Sequence, residues 1–280
     1  MIGRVNAPTE DRPADLPGSY YETLDETRDG TRFRATRATS GPWSEHAQHG
    51  GPPAALLGRA LEAVDEGTPR AIGRFTMDLL GPVPVADLTV SATVLRPGRT
   101  VSLRQAELCD DRGRVLARAQ AWAFPVGEGP GRIGDPGPLG HTHTDGHLEE
   151  PPASWTRGYL DSLEWRWIAG AVTAPGPATV WMRPLLPLVP GEQMTPLQRL
   201  LTCVDSANGA ASAVDPTQWT FLNTELTVHV VRPLVGEWVC LSARAHLTEG
   251  AVGLTEAEVH DEQGLVARSA QALLVTRARG

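Results

Sequence analysis

The chain repeats itself. Asp87-Leu-Thr-Val-Ser-Ala-Thr-Val-Leu in the first half and Glu237-Trp-Val-Cys-Leu-Ser-Ala-Arg-Ala in the second each open a strand-patterned run. In both halves a loop, a second alternating stretch, an acidic turn ending in Gly and a third apolar strand follow. The turns are Asp110-Asp-Arg-Gly113 and Asp261-Glu-Gln-Gly264. Gly113 and Gly264 stand 151 residues apart, and so do Gln120 and Gln271. A hairpin is therefore duplicated, with Gly at the turn position that needs a positive φ. Repetition at this period means two copies of one supersecondary unit.

Upstream of each meander lies one helix signal. In the first half Gly51 can serve as N-cap and Pro52 as first helical residue, with Leu57, Ala60, Leu61 and Val64 on one face and Gly67 as the stop. In the second, Thr195-Pro-Leu-Gln198 forms a capping box ahead of the stripe Leu197, Leu200, Leu201 and Val204. Matching strand signals open the halves, Tyr20 to Leu24 and Tyr159 to Leu163. One apolar helix and a long meander bury both their faces only if the sheet curls round the helix. The expected class is α+β, two tandem units each with a long helix wrapped by a curved antiparallel sheet. We expect a tail over 1–17, the first unit over 18–125, a linker over 126–154 and the second unit over 155–280.

Composition narrows the function by exclusion. A formal charge of −8 with no basic run argues against a nucleic-acid partner. Met1 to Leu16 has no apolar core, and no apolar run is long enough to span a bilayer, so a cytoplasmic protein without a membrane partner is expected. Cys109, Cys203 and Cys240 are odd in number and widely spaced, which suits reduced structural thiols. The chain has no lysine, so all 25 of its Lys and Arg residues are arginine. That removes Schiff-base chemistry, a pyridoxal anchor and a P-loop. No GxSxG elbow occurs, against an α/β-hydrolase route to ester cleavage. His141, His143 and His147 with Asp145 could in principle ligate zinc, but they sit in the Gly- and Pro-rich linker with no regular frame, so no metal site is expected.

Four segments together carry a family likeness. They are His49-Gly-Gly51 ahead of the first helix, Val204-Asp-Ser-Ala-Asn-Gly209 on the second helix, the strand from Phe221 to Pro233, and Ala267-Arg-Ser-Ala-Gln271. Their order and spacing resemble the thioesterase-like superfamily, and in particular its double-hotdog acyl-CoA thioesterases, similar to bacterial acyl-CoA thioesterase II. The likeness runs from about Gly18 onward. It implies a double hotdog that hydrolyses acyl-CoA or another acyl thioester without a cofactor, as monomer or homodimer. It further implies a water held by an Asp on the second-half helix, a hydroxyl residue on the following strand and a Gln on the last strand. By motif the Asp is Asp205 and the Gln is Gln271. The middle position falls on Asn223, where the family has threonine, with Thr224 beside it. Adjacent strand residues face opposite ways, so only one of the two points into the site. Asn223 is favoured because its amide both donates to and accepts from water.

The residue types suit that chemistry. A thioester is electrophilic enough for water activated by a carboxylate, with no covalent nucleophile. Asp205 and Asn208 lie at the border of the helix's apolar stripe, where a carboxylate needs hydrogen-bond donors. Gln271 stands between alanines, with Gln120 at the repeat position. His49, Gly50 and Gly51 offer backbone N–H groups at a helix N-terminus for an oxyanion. Arg232 could meet a phosphate of the substrate. Acyl transfer, release from a carrier protein, and acyl-CoA binding without catalysis use the same fold and stay open.

Overall fold

The computed structural model describes residues 15–134, 136–215 and 218–277, so most of the expected tail lies outside the described residues. In the first half run β1 (Tyr21–Thr27), β2 (Gly30–Ala35), the short β3 (Ser40–Gly41) and β4 (Ser44–Gln48), then α1 (Gly51–Glu62). The meander β5 (Arg70–Leu79), β6 (Asp87–Arg96), β7 (Ser102–Cys109) and β8 (Val115–Pro125) follows. The second half opens with α2 (Gly158–Asp161), β9 (Leu163–Ala171), β10 (Ala174–Pro184), α3 (Pro196–Val204) and α4 (Ala207–Ala210). It closes with β11 (Trp219–Asn223), β12 (Glu225–Val230), β13 (Val239–Leu247), β14 (Val252–Asp261) and β15 (Gly264–Arg277).

All but β3 and β4 join one antiparallel sheet, in the order β1-β2-β6-β7-β8-β5-β12-β15-β14-β13-β10-β9, with β11 also on β15. The order reads the same outward from its centre: β5 matches β12, β8 matches β15, β7 matches β14, β6 matches β13. At that centre Thr76 faces Thr227, and the Thr227 hydroxyl donates to that of Thr76 at 3.3 Å. These two are 151 residues apart, the repeat distance itself. A residue that pairs with its own copy across an antiparallel junction lies on the two-fold axis relating the units, and here hydrogen bonding carries the sheet through that axis. Helix α1 packs on β5 to β8, α3 and α4 pack on β10 and β13, and α1 and α3 pack on each other. The architecture is the double hotdog.

Interactions across the two units shape the helices. Glu62 at the end of α1 accepts from Thr195 Oγ1 at 2.8 Å and Gln198 Nε2 at 3.0 Å, adding a partner to the capping box of α3. Arg59 forks onto Glu192 with two 2.8 Å bonds. The first helix starts one residue earlier than expected, with Gly50 as cap, and stops at Glu62 rather than near Gly67. Arg104 on β7 is the reason. It donates to Leu61 O at 2.7 Å, taking a carbonyl that another helical turn would use, while Glu66 is drawn to Ser102 and Arg104 at 2.7 and 2.8 Å.

Two further expectations are corrected. Tyr159 to Leu163 is not a strand: its first residues form the single turn α2, and β9 begins at Leu163. The strand expected from Phe221 to Pro233 is interrupted at Thr224 and ends at Val230. The linker histidines serve packing: His141 Nδ1 accepts from Trp181 Nε1 at 3.1 Å, His143 stacks on Trp238, and His147 bridges to Trp167. No helix among the described residues is long and apolar enough to cross a membrane.

Candidate active site

Asp205 sits where the second helix breaks. In a continuous helix the Ser206 N–H would bond to Thr202 O; instead it bonds to Cys203 O at 3.0 Å, and Thr202 O accepts the Tyr159 hydroxyl at 2.7 Å. With its proton so used, the phenol accepts from Ser206 Oγ at 2.7 Å. Burial pushes the Tyr159 pKa well above its ordinary value, so the phenol keeps that proton. The result is α3 ending at Asp205 and α4 resuming at Ala207. The carboxylate therefore projects from a helix end, and it is 5% exposed.

Two amides hold one of its oxygens. Asn223 Nδ2 donates to Asp205 Oδ1 at 2.8 Å and Gln271 Nε2 donates to the same oxygen at 2.9 Å. Oδ2 is left on the side of Gly50 and His49, where a Cβ on Gly50 would stand 2.6 Å from it. Gly51 is also required by close approach, since a Cβ there would meet Thr202 O at 2.2 Å. His49 Nδ1 lies 3.4 Å from Asp205 Oδ2 yet accepts the Gly51 N–H at 3.1 Å. An acceptor nitrogen carries no proton, so His49 is neutral with its hydrogen on Nε2, and the contact with Asp205 is no ion pair. Burial lowers the His49 pKa in the same sense, against the opposing pull of Asp205. The ring stacks on Tyr159 at 3.8 Å and 5°.

Gln271 reaches this place through a one-residue difference between the halves. The turn between paired Cys109 and Val115 holds five residues, Asp110 to Arg114; that between paired His260 and Leu265 holds four, Asp261 to Gly264. A shift of one residue exchanges the two faces of a strand. Thr76 accordingly pairs with Gln120, whereas its copy Thr227 pairs with Ala270. In β8 the alanines 117, 119 and 121 face inward and Gln120 bonds outward to Gln105 at 3.3 Å. In β15 Ser269, Gln271 and Leu273 are the buried set. Gln271 is thus the spatial counterpart of Ala121, not of Gln120. Its Oε1 is buried and has no hydrogen-bond partner among the described residues.

The remaining candidates divide. Asn223 faces Asp205, while Thr224 is exposed and donates to Ala272 O at 3.3 Å. Asn208 lines the cavity beside Asp205. Of the glycine N–H groups, that of Gly51 is committed to His49, and the Gly50 N–H meets no backbone acceptor among the described residues. Arg232 is a correction. It does not line the cavity; it forks onto Asp261 at 2.5 and 2.6 Å and donates to Gly264 O at 3.0 Å, fastening the β14–β15 turn. Asp261 is fully buried, and burial alone would raise its pKa. Arg232 and the N–H groups of Val235 and Gln263 outweigh that and hold it below the ordinary value.

Around these groups lies a cavity of about 460 Å³, within the range of small-molecule sites. Six aromatic residues line it: Trp43, Trp155, Tyr159, Trp165, Trp167 and Phe221. Trp43, 51% exposed, meets Trp155 and Phe221 edge-on at the mouth. None of the six was singled out for the site from sequence. They come one or two at a time from five separate segments, and an isolated aromatic carries no periodic signal.

Residues 39–124 match the acyl-CoA thioesterase N-terminal domain and residues 142–275 the acyl-CoA thioesterase C-terminal domain. Among solved structures, a hot dog fold protein of unknown function from Alicyclobacillus acidocaldarius is 17% identical, with 90% of this chain and 96% of that one covered and a TM-score of 0.71. A candidate thioesterase II from Thermobifida fusca is 17% identical over 92% and 96%, with a TM-score of 0.71. An acyl-CoA thioesterase II from Mycobacterium marinum is 12% identical over 92% and 96%, with a TM-score of 0.63. At these identities the structural likeness speaks for the fold. No curated protein sequence matches the chain. With both halves matched in order by the two domains of one family, on the fold just described, the chain belongs to the double-hotdog acyl-CoA thioesterases.

Proposed function

We propose that the protein hydrolyses an acyl-CoA thioester with water activated by Asp205. The observation that carries this reading is the division of labour on one carboxylate: two amides fix Oδ1, and Oδ2 stands beside the cleft between His49, Gly50 and the cavity. A water donating to Oδ2 and accepting nothing from an acid would have a lone pair aimed at a thioester carbonyl in the cavity. Gln271, which does not line the cavity, acts through Oδ1 by fixing the carboxylate.

In the reaction the water oxygen bonds to the thioester carbon while its proton passes to Asp205 Oδ2. The carbonyl oxygen takes the negative charge, and the Gly50 N–H at the N-terminus of α1 is the donor placed to meet it. Collapse breaks the carbon–sulfur bond. The thiolate of CoA leaves with the proton from Asp205, and the acyl group leaves as a carboxylic acid. His49, neutral and stacked on Tyr159, holds Gly51 in position rather than supplying a proton.

Thiol release from acyl-CoA tests this. Asp205→Asn is expected to lower kcat by about 10²–10⁴, the usual share of a positioned base, and Gln271→Ala by at least tenfold, with little change in the Kd of a non-hydrolysable thioether analogue. If both variants kept full hydrolysis the reading would be wrong. Tight analogue binding with no thiol release from the wild type would leave a binding protein. Carrier-protein thioesters run in parallel decide the carrier.

A further inference from the structure

A second pocket, of about 290 Å³ and open to solvent past the exposed Leu148 and Glu150, adjoins the first. The two share four lining residues, Leu160, Trp165, Trp167 and Val172. These four are therefore the partition between them. Trp165 and Trp167 stand two apart on one face of β9, their rings 6.4 Å apart and inclined by only 14°. Trp165 is pinned, because its Nε1 donates to Leu160 O at 2.9 Å. Its ring meets Tyr159 edge-on at 6.4 Å, and Tyr159 stacks on His49, which adjoins Asp205. A row of rings thus leads from the carboxylate to the partition.

The first cavity has an open end and a closed one. Trp43, Thr224, Leu222 and Leu274 form its exposed mouth, while Trp167 is 1% exposed. The charged carrier belongs at the mouth, and the apolar acyl group gains most by entering toward the rings. We infer that Trp165 and Trp167 are the chain-length stop of this pocket, and that the substrate class is a compact acyl group: a chain ending at the Trp165 ring, or a flat ring stacking along the row. The inference rests on the hydrolase reading above. Up to the stop, each buried methylene raises kcat/KM about fourfold. Beyond it, a longer chain meets the packed partition instead of the space behind it.

The test is kcat/KM across a saturated acyl-CoA series. The wild type is expected to rise with length and then fall at least tenfold past one chain length. Trp165→Ala joins the two cavities, and the break moves to longer chains by several carbons. Adding Leu148→Trp, which fills the second cavity from its far side, moves the break back; Leu148→Trp alone leaves the wild-type profile in place. Should Trp165→Ala not fold, Trp165→Leu takes its role, with an unchanged thermal transition as the control. A folded, active Trp165 variant with the wild-type break overturns the inference and leaves the hydrolase reading standing. If the wild type cleaves no thioester of any length, that reading fails instead. Calorimetric binding of S-alkyl-CoA thioethers then reads the same break, and an unmoved break sinks the stop.

Discussion

The hydroxyl of Tyr159 donates to the main-chain carbonyl of Thr202 at 2.7 Å, occupying the acceptor that an unbroken helix would give to Ser206. One side chain from the other end of the unit thereby decides where α3 stops, and so where Asp205 points. Tyr159→Phe keeps the ring and its stacking on His49 but frees the carbonyl. The variant is expected to lose about 1 kcal/mol of stability, the net worth of one hydrogen bond, and at least tenfold in kcat, since the helix can continue through Asp205. Thermal melting and thiol-release kinetics check the two parts, and full activity in a folded variant would show that the break has another cause.

Gly50 and Gly51 are adjacent, but they are glycines for different reasons. Gly50 has helical dihedrals that alanine adopts freely, and the atoms nearest its Cβ would be those of the Asp205 carboxylate. Gly50→Ala is therefore expected to cut kcat by about a hundredfold with little change in melting temperature. At Gly51 the obstacle is the Thr202 backbone, which cannot swing aside. Gly51→Ala should cost about 1–3 kcal/mol of stability, the usual range for overpacking. Equal melting temperatures for the two variants would contradict the distinction.

His49 gives the fold a pH signature. Burial holds its pKa below the ordinary value of 6.5, with Asp205 opposing in part. Between the folded and unfolded values the unfolded chain binds a proton that the folded chain does not. The His49 contribution to stability is therefore present above about pH 6.5, declines as the pH falls through that value, and stops declining below the folded value. His49→Gln removes this component. Urea denaturation from about pH 5 to pH 8 should show the gap between wild type and variant narrowing on acidification; a gap independent of pH would exclude the imidazole as its source.

What could be read from the sequence depended on whether a local pattern carried it. The duplicated hairpin and the Thr195 capping box follow from periodicity and motif spacing, and the meeting of Asp205 with Gln271 from the family resemblance. The break at Asp205 does not, because a tyrosine 43 residues upstream of Thr202 causes it. Nor does the stop of α1, which Arg104 imposes from β7. Tyr159 to Leu163 alternates like a strand, but the position of the Tyr159 hydroxyl under α3 outweighs that pattern. The sequence left Arg232 as either a phosphate contact or an ordinary surface arginine, because Asp261, its buried partner, lies 29 residues on.

The Arg232–Asp261 pair predicts stability, not turnover. Arg232→Met leaves a fully buried carboxylate with two backbone N–H donors, Val235 and Gln263, each at 2.8 Å. A broken buried pair costs about 3 kcal/mol or more, so the variant should unfold at lower urea near pH 7. Its deficit should shrink toward about pH 4, where a protonated Asp261 no longer needs a cation. Thiol release from the fraction that remains folded should match the wild type; a selective loss of kcat/KM would place Arg232 with the substrate after all.

The two glutamines 151 residues apart make the sharpest comparison, because in sequence they are equivalent and in space they are not. Gln120 bonds to Gln105 on the outer face of its sheet, and Gln271 bonds inward to Asp205. Gln120→Ala should leave kcat within about twofold of the wild type, as surface changes usually do, whereas Gln271→Ala loses at least tenfold. The shorter turn accounts for the offset between them, and whether it also holds Gln271 inward can be tested directly. One glycine inserted after Gln263 gives the β14–β15 turn the length of its counterpart. The added residue is taken up by the turn, so His260 still pairs with Leu265 and Thr255 with Gln271, as Cys109 pairs with Val115 and Arg104 with Ala121, and Gln271 keeps facing Asp205. The insertion variant is expected to stay folded, since the first unit carries a turn of that length, and to keep kcat within about twofold of the wild type. An insertion variant that lost activity to the level of Gln271→Ala would show that β15 slides when its turn is lengthened, and that the four-residue turn itself holds Gln271 inward.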